Sequence, residues 1–282
     1  MGPSNAVPFD MAPDILPFDS EGGDFLYGSD QRLFVLTGTQ TTLQVGTARP
    51  CGQIENAAIS GVAVIYSEIV AAGYSGDGNA DCPNFGDAVD WYVSITDFNG
   101  TVRQVARGTY AVPPGSDTAS AAPDVAIAAG AYGFSRPDKG GKSAVVEVHL
   151  LDDDTQIFHS DPFHLPVQIL RGAERLVIIG PGPVAVGDSN DTLSIWSATD
   201  WQPLEAIGLT SGAVALSPDG QTLAFAGCLS PTQCTFLNML STNGDSGISL
   251  PATATSVSTV WGPTPPSPRR SGSQPRPTEG PT

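Results

Sequence analysis

The feature that most constrains the fold of this chain is a recurring group of four short strand-like runs. Each run contains apolar or alternating residues rich in Val, Ile, Leu, Thr and aromatics, and it ends at Gly, Asp, Asn, Pro or Ser. No segment places apolar residues at helical spacing between helix caps, so helices are not expected. The pattern predicts an all-β protein.

The stretch 213–250 contains one complete group. It reads AVALS, the turn PDGQ, TLAFAG, a loop, TFLNML, the polar turn STNGD and SGISL. Four earlier segments follow the same order, and in the fourth we assign RLVIIG, PVAVG, TLSIWS and PLEAIG as its successive strands. A sixth group starts at TSVSTVWGP and stops. Repeats of roughly 40–50 residues with four strands each are typical of propeller blades.

Two of these segments carry a family resemblance. SPDGQTLAF (217–225) resembles the corner between the first two strands of TolB-like and WD-repeat-like propeller blades. DTLSIWSATDWQPLEAI (191–207) resembles the last two strands of WD-type blades. The Gly-His dipeptide of true WD repeats is missing, and the other blades lack SPDG. The resemblance implies a β-propeller of four-stranded blades, with about five complete blades and a partial one.

This assignment divides the chain into three parts. Residues 1–12 form a linker, 13–263 the propeller, and 264–282 a Pro/Ser/Arg-rich tail whose composition predicts disorder. The blades are expected at 13–48, 53–110, 122–163, 167–210 and 211–252, with the start of another at 254–263. We expect a truncated chain whose missing blades would close the ring. The alternative is a five-bladed ring in which the last strand completes the first blade.

The charge balance excludes one class of partner. The chain has 29 acidic and 12 basic residues, a net charge of −17, so it repels nucleic-acid phosphates and anionic lipid. No apolar run reaches the ~18 residues of a membrane span, and no signal peptide is visible at the start. We therefore expect neither a nucleic-acid partner nor a membrane span in this chain.

The four cysteines fall on one face of the expected propeller. Cys51 lies between two blades, Cys82 lies in the loop joining the second and third strands of blade two, and Cys228 and Cys234 flank the corresponding loop of a later blade. We predict the disulfides Cys51–Cys82 and Cys228–Cys234, which favour an oxidising, secreted or periplasmic location. Four free thiols are the alternative. A zinc site is disfavoured because no CxxC motif occurs.

One loop contains a candidate calcium motif. Asp77, Asn79 and Asp81 alternate in GYSGDGNADCPNFGD, a spacing that can wrap oxygen ligands around Ca²⁺. However, Cys82 stands where the motif needs Gly, and Ala88 stands where it needs Glu. The same residues are ordinary in polar turns, and this interpretation is favoured.

Other chemical signatures also have structural explanations. GDSG (244–247) matches the nucleophile tetrapeptide of trypsin-like proteases but falls on a predicted strand turn. His149 shares a strand face with Glu147, which we interpret as a satisfied or exposed pair rather than a catalytic dyad. GPGPVAVG lacks the spacing and helix of a phosphate-binding loop. We expect the tryptophans to be core plugs: Trp91, Trp196, Trp201 and Trp261.

These observations predict a non-catalytic, extracytoplasmic propeller that binds a protein or small ligand and needs no cofactor. We place the partner site on the disulfide-bearing face, at the loops around Cys51, 73–87 and 230–233, because binding residues concentrate on loops held by rigid scaffolds. The alternative is an accessory propeller belonging to a larger hydrolase-type enzyme or to a membrane-anchored sensor.

Overall fold

A computed structural model describes twelve segments of the chain: 15–61, 63–74, 82–128, 130–165, 167–171, 175–181, 191–197, 201–205, 214–217, 219–230, 233–241 and 248–251. Apart from a single 3₁₀ turn at Thr118–Ala121, every regular element in these segments is a β-strand. The prediction of an all-β chain is confirmed.

The strands form five antiparallel sheets in which spatial order follows chain order. Sheet 1 contains β1 (Leu16–Glu21), β2 (Asp24–Ser29), β3 (Arg32–Leu36) and β4 (Thr42–Thr47). Sheet 2 contains β5 (Gln53–Ser60), β6 (Ala63–Ala71), β7 (Ala88–Asp97) and β8 (Val102–Ala111). Sheet 3 contains β9 (Val125–Ala128), β10 (Ala131–Pro137), β11 (Ser143–Leu150) and β12 (Gln156–His159), and the short β13 (Phe163–His164) also pairs with β11.

Sheets 4 and 5 repeat this meander. Sheet 4 contains β14 (Gln168–Arg171), β15 (Arg175–Pro181), β16 (Asp191–Ser197) and β17 (Trp201–Glu205). Sheet 5 contains β18 (Val214–Leu216), β19 (Thr222–Ser230), β20 (Gln233–Ser241) and β21 (Ile248–Pro251). The strand assignment of blade four is wrong: RLVIIG is the second strand of sheet 4, not the first, so PVAVG is not that second strand and lies outside the described residues. The first is the short β14, whose four residues carry too little periodicity to be recognised.

The first strands of successive sheets contact one another, from β1 to β5, β9, β14 and β18. Arg171 of β14 extends this contact to sheet 1, with its guanidinium 3.1 Å from Asp19 and 2.8 Å from Glu21 of β1. Sheets that meet along their first strands are the blades of a propeller. The described residues therefore form a β-propeller, as the strand pattern predicts.

Three apolar clusters hold neighbouring blades together. The first packs Leu26 and Leu33 of sheet 1 against Ile59 and Val64 of sheet 2. The second joins sheets 2 and 3 through Trp91 and its neighbours, and the third joins sheets 3 and 4. Blades 2 and 3 thus bury both faces against their neighbours, which a single four-stranded sheet cannot do alone.

The corner that carries the family resemblance has the expected turn chemistry. Ser217 and Thr222 pair across the turn between β18 and β19, and the Ser217 carbonyl accepts a hydrogen bond from Gly220 at 2.8 Å. Gly220 has a φ of +70°, which glycine adopts at least cost. The Asp219 carboxylate accepts a hydrogen bond from the Ser217 hydroxyl at 2.6 Å. The SPDG sequence is therefore a structural turn.

Candidate functional site

An open cleft of about 400 Å³ lies between blades 1 and 2, on the face that carries the β2–β3, β4–β5 and β6–β7 connections. Polar residues line its rim, including Asp30, Gln31 and Arg32. Its apolar floor is formed by Leu16, Phe18, Ile54, Pro83 and Phe85. The cleft lies on the face where the sequence places the partner site.

A disulfide forms one end of the cleft. Cys51 in the β4–β5 connection is bonded to Cys82 in the β6–β7 connection, with 5.3 Å between their Cα atoms. This is one of the two pairs that the sequence predicts. The bond ties the connection between blades 1 and 2 to the β6–β7 loop of blade 2, and both cysteines line the cleft. It also fits an extracytoplasmic location, since disulfides persist in oxidising compartments.

The turn that carries Cys51 is built from the sequence Arg-Pro-Cys-Gly. The Gly52 N–H donates to the Arg49 carbonyl at 2.8 Å, with Pro50 and Cys51 at the two central positions. Cys51 has a φ of +59°, which the third position of a type II turn requires and which glycine usually provides. A non-glycine residue in this region costs of order 1–3 kcal/mol, so the surrounding contacts must hold it.

A buried carboxylate supplies those contacts. Glu68 of β6 is 1% exposed, and its carboxylate accepts the Arg49 backbone N–H at 2.8 Å and forms an ion pair with the Arg49 guanidinium. That guanidinium also lies 3.6 Å from the ring centroid of Tyr92 and donates to Gln104 at 2.7 Å. The turn is therefore anchored to blade 2 by charge, by stacking and by the disulfide.

The opposite wall of the cleft is a tight hairpin. Asp30 and Gln31 connect β2 to β3 with φ values of +49° and +63°, as a two-residue turn with both positions left-handed requires. The Gln31 carbonyl accepts a hydrogen bond from Ala48 at 2.8 Å, which links this hairpin to the start of the β4–β5 connection. The cleft is therefore bordered on both sides by tight turns whose backbone conformation is fixed.

The shape of the cleft floor depends on Gly28, which has no side chain. Phe18 lies over Gly28, where a Cβ atom would stand 2.8 Å from the Phe18 ring. Phe18 also sits at the irregularity in the pairing of β1 with β2, between Pro17 and Asp19. A larger residue at Gly28 would displace the ring, so the shape of the floor is set by this glycine.

Sequence reasoning did not identify Glu68 or Arg49 as part of this site. A signal was present, because Glu68 is the single charge within the apolar run VAVIYSEIV. A carboxylate in such a strand needs a buried partner. The proline of the Arg-Pro-Cys-Gly turn is the second signal, since proline favours the second position of a type II turn.

Several predicted site residues fall outside what the structure describes. The backbone of Cys228 is opposite that of Cys234 in the β19–β20 pair, but their side chains are outside the description, so this disulfide stays a prediction. The calcium candidates Asp77, Asn79 and Asp81, the GDSG stretch 244–247 and Trp261 are also outside it. Among the described residues no cluster of three His, Cys, Asp or Glu could hold a metal ion.

His149 and Glu147 are held by structural partners. Glu147 accepts two hydrogen bonds from Arg136, at 2.7 and 3.0 Å, and lies 3.3 Å from His149 Nε2. Burial raises the pKa of Glu147, but the opposing effect of Arg136 and His149 is larger, so the pKa is lowered overall. The His149 ring stacks between these contacts and Tyr132, 5.3 Å away. This arrangement agrees with our interpretation of a satisfied pair.

Trp91 fills space between blades. It is 2% exposed and belongs to the cluster that joins sheets 2 and 3. A Cβ atom on Gly108, its cross-strand neighbour, would lie 2.7 Å from the indole. Trp196 and Trp201 are opposite each other in the β16–β17 pair, but their side chains are outside the description.

The described segments contain no helix with the length and hydropathy of a membrane span.

No family model matches this chain, and no curated protein matches it in sequence. Solved structures do match it in shape. TolB from Acinetobacter baumannii has a TM-score of 0.51 and 14% identity, over 86% of this chain and 55% of TolB. Pyrococcus horikoshii acylaminoacyl peptidase has a TM-score of 0.52 and 12% identity, over 85% of this chain and 39% of the peptidase.

KlAtg21, solved in a complex with the coiled coil of AgAtg16, has a TM-score of 0.51 and 12% identity, over 85% of this chain and 69% of that one. The chain thus spans about half of the length of TolB and less than half of the peptidase. At these identities the matches establish the fold alone. This chain has a β-propeller fold similar to that of TolB.

Proposed function

We propose that this chain is a non-catalytic, extracytoplasmic binding module, and that the cleft between blades 1 and 2 holds an extended segment of a protein partner. The observation that carries the proposal is the cleft itself: an apolar floor between two walls of constrained backbone. Binding sites are usually preformed concavities of about 300–1,000 Å³ with an apolar lining and a few polar groups. A volume of about 400 Å³ falls in this range.

The rigidity of the walls supports a binding role. Ordering a mobile loop on binding costs free energy, and a wall that is already ordered avoids this cost. Three residues of left-handed backbone line the cleft, namely Asp30, Gln31 and Cys51. The hairpin turn fixes the first two residues, and the contacts of Arg49 and the disulfide hold Cys51, so the walls are ordered before any partner binds.

The similar structures support a protein partner. KlAtg21 has the same fold and was solved bound to a coiled coil, so a propeller of this kind can hold a protein segment. Leu16, at the edge of the cleft, is 59% exposed, which is unusual for a large apolar residue on this surface. The disulfide supports the extracytoplasmic location.

A second candidate function is an accessory propeller of a larger hydrolase-type enzyme. The match to the acylaminoacyl peptidase favours it, because this chain corresponds to only 39% of that enzyme. Sequencing the flanking genomic DNA distinguishes the two candidates. A reading frame that continues into a catalytic domain supports the accessory propeller, and flanking stop codons support the independent binding module.

Peptide selection tests the binding proposal. A library of displayed peptides is selected on the immobilised protein, and each selected peptide is titrated against wild type, Leu16→Arg and Val102→Arg. Val102 is the matched control, since it is 51% exposed but lies on β8 away from the cleft. We expect Leu16→Arg to weaken binding at least about tenfold, roughly 1.4 kcal/mol, and Val102→Arg to leave it unchanged. Equal affinities for the three proteins would refute the cleft as the site.

A further inference from the structure

The turn between β7 and β8 has the sequence Asn99-Gly100-Thr101. It fits the pattern Asn-x-Ser/Thr, in which the asparagine can accept an N-linked sugar, and it is the one complete copy of this pattern within the described residues. The pattern occurs once more in the sequence, at 190–192, where Asn190 lies outside the described residues. The structural argument therefore concerns Asn99.

This turn projects into solvent. Asn99, Gly100 and Thr101 are all exposed, and a Cβ atom on Gly100 would meet no heavy atom within 4 Å beyond its two chain neighbours. Gly100 has a φ of +82°, which glycine adopts at little cost, and it places no side chain between the other two residues. The amide of Asn99 and the hydroxyl of Thr101 therefore stand where an enzyme can reach both of them together.

Asp97 fixes the backbone of the turn. One oxygen of its carboxylate accepts the N–H groups of Asn99 at 3.0 Å and Thr101 at 2.8 Å, and its carbonyl accepts that of Gly100 at 3.1 Å. The hydrogen bond from Thr101 lowers the pKa of Asp97, so its carboxylate stays charged. Because these bonds use backbone donors, a sugar on the Asn99 side chain would leave them intact.

An acid also recurs at a fixed place before each asparagine. Asp97 stands two positions before Asn99 and Asp188 two positions before Asn190, so both copies read Asp-x-Asn-x-Thr. The second copy begins in the connection between β15 and β16, a different part of its blade, so a shared hairpin turn does not explain the shared acid. A charge at this place gives an enzyme with a basic acceptor site a second group to recognise.

From these observations we propose that Asn99 is a site of N-linked glycosylation, modified by an oligosaccharyltransferase whose sugar donor is an oligosaccharide on a polyprenyl diphosphate. The Asn99 amide nitrogen bonds to the anomeric carbon of the first sugar, and the bond between that carbon and the diphosphate oxygen breaks. The leaving diphosphate takes the amide proton. The inference rests on the extracytoplasmic location in the proposed function, because such transfer takes place on the outer side of a membrane.

The sugar would stand far from the cleft. β7 begins at Ala88 on the face that carries the cleft and ends at Asp97 on the other face. Its 10 residues, at ~3.3 Å each, separate the two ends by about 30 Å. A glycan on Asn99 therefore adds a bulky polar group to the opposite face and leaves the cleft open to a partner.

Peptide mapping by mass spectrometry tests the inference. The full chain is exported to the periplasm of a bacterial host in which an oligosaccharyltransferase with its lipid-linked oligosaccharide modifies a reporter protein. Wild type is compared with Thr101→Ser, which keeps the hydroxyl, and with Thr101→Val, which keeps the branched shape without it. We expect a glycan on Asn99 in most copies of wild type, a glycan in Thr101→Ser as well, and none in Thr101→Val.

An unmodified Asn99 in the wild-type chain would overturn the inference. The peptide ITDFNGTVR, residues 95–103, then shows why: if it is modified, the folded turn excludes the enzyme, and if it is not, the motif is no acceptor. Deamidated Asn99 without sugar counts as unmodified, since asparagine before glycine also hydrolyses without an enzyme. A glycan that persists on Asn99 in Thr101→Val would equally overturn the inference, because the motif would then not direct the transfer.

The same chains separate this inference from the proposed function of the cleft. Library-selected peptides should bind Thr101→Val and wild type equally, because the turn lies on the face opposite the cleft. An unmodified Asn99 with peptide binding at Leu16 would remove the glycosylation site and leave the cleft as a binding site. A glycan on Asn99 without peptide binding at Leu16 would do the reverse.

Discussion

The junction between blades 1 and 2 and the junction between blades 2 and 3 are built from equivalent strands but differ in what covers them. The first is crossed by a connection of five residues, 48–52, and the second by one of thirteen, 112–124. The short connection leaves the cleft open, whereas the long one folds over its junction. Two junctions of the same blade architecture are therefore open or covered according to the length of one connection.

The longer connection is fixed by contacts within its own junction. Its 3₁₀ turn, Thr118–Ala121, buries Ala121 in the core, and the Thr118 carbonyl accepts the Tyr110 hydroxyl hydrogen bond at 2.6 Å. Near its end the Pro123 carbonyl accepts hydrogen bonds from Asn56 at 3.0 Å and Ser67 at 2.6 Å. The first junction thus has an open cleft where the second has hydrogen bonds to its own connection.

The filled junction should lose the most stability on truncation. Trp91→Ala removes the largest fully buried side chain of the described residues, so we expect the free energy of unfolding to fall by about 3–5 kcal/mol. Denaturant titration measures it. Phe18→Ala in the cleft is the comparison, and because Phe18 is partly exposed its loss should be about 1 kcal/mol. Equal losses would mean that the cleft is as well packed as the filled junction.

The open junction should depend on its disulfide. The Cys51–Cys82 bond closes a 31-residue separation, for which chain entropy predicts a loss of about 3–4 kcal/mol in the double Ser variant. Denaturant titration gives the total loss, and amide hydrogen exchange locates it. Exchange should accelerate in 48–54 and stay unchanged in 112–124. Acceleration in both connections would show that the disulfide does not act on the cleft wall specifically.

Two carboxyls near the longer connection should also carry a distinctive pH dependence: Glu55 faces Asp117 of that connection, and Asp124 at its end accepts the Ile169 N–H of blade 4. Burial raises the pKa of Asp124 to about 7, despite hydrogen bonds from the Ile169 and Val125 backbones that lower it. Burial and the charge of Asp117 raise the pKa of Glu55 to about 7 as well. Because the folded state holds these protons, their stabilisation is complete below about pH 4 and is lost as the pH rises to 7.

Asp124→Asn tests this pH dependence, since an amide mimics the protonated carboxyl. We expect the variant to lose part of the downward slope of unfolding free energy between pH 4 and 7, a difference on the order of 2–3 kcal/mol. Glu55→Gln should remove a further part. A slope identical to that of wild type in both variants would refute protonated carboxyls at these two positions.

We expect the smallest loss of unfolding free energy when the Arg49–Glu68 ion pair of the cleft wall is removed. Arg49→Met leaves the Glu68 carboxylate buried without its ion pair, but Arg49 is 34% exposed, so we expect a loss of about 1–2 kcal/mol. Arg107→Met, an exposed arginine on the same blade, is the control and should change stability by less than about 0.5 kcal/mol. A loss no larger than the control's would mean that Glu68 does not need Arg49.

The strand pattern predicted the architecture well because blade strands and their hairpin turns are local features. SPDG, for example, sets the ends of β18 and β19 within a few residues. The fourth sheet shows the limit: β14 has four residues, and its identity as a first strand comes from its contacts with β9 and β18. Such contacts join residues that are far apart in the chain, so they produce no periodic pattern in the sequence.

The site was harder to predict for the same reason. The face was indicated by the cysteines, but the cleft depends on side chains that meet only in the folded protein. Glu68 meets Arg49 across 19 positions, and Arg171 meets Asp19 across 152. The length difference between the two connections is visible in the sequence, yet its meaning appears only when both junctions are seen together.

The most direct test of the contrast between an open and a filled junction is a methyl NMR titration with a small apolar probe, isopropanol. We predict saturable shifts of the Leu16 and Ile54 methyls and unchanged Val125 and Ile127 methyls, which lie buried in the second junction. Shifts of equal size in both junctions, or in neither, would contradict the account.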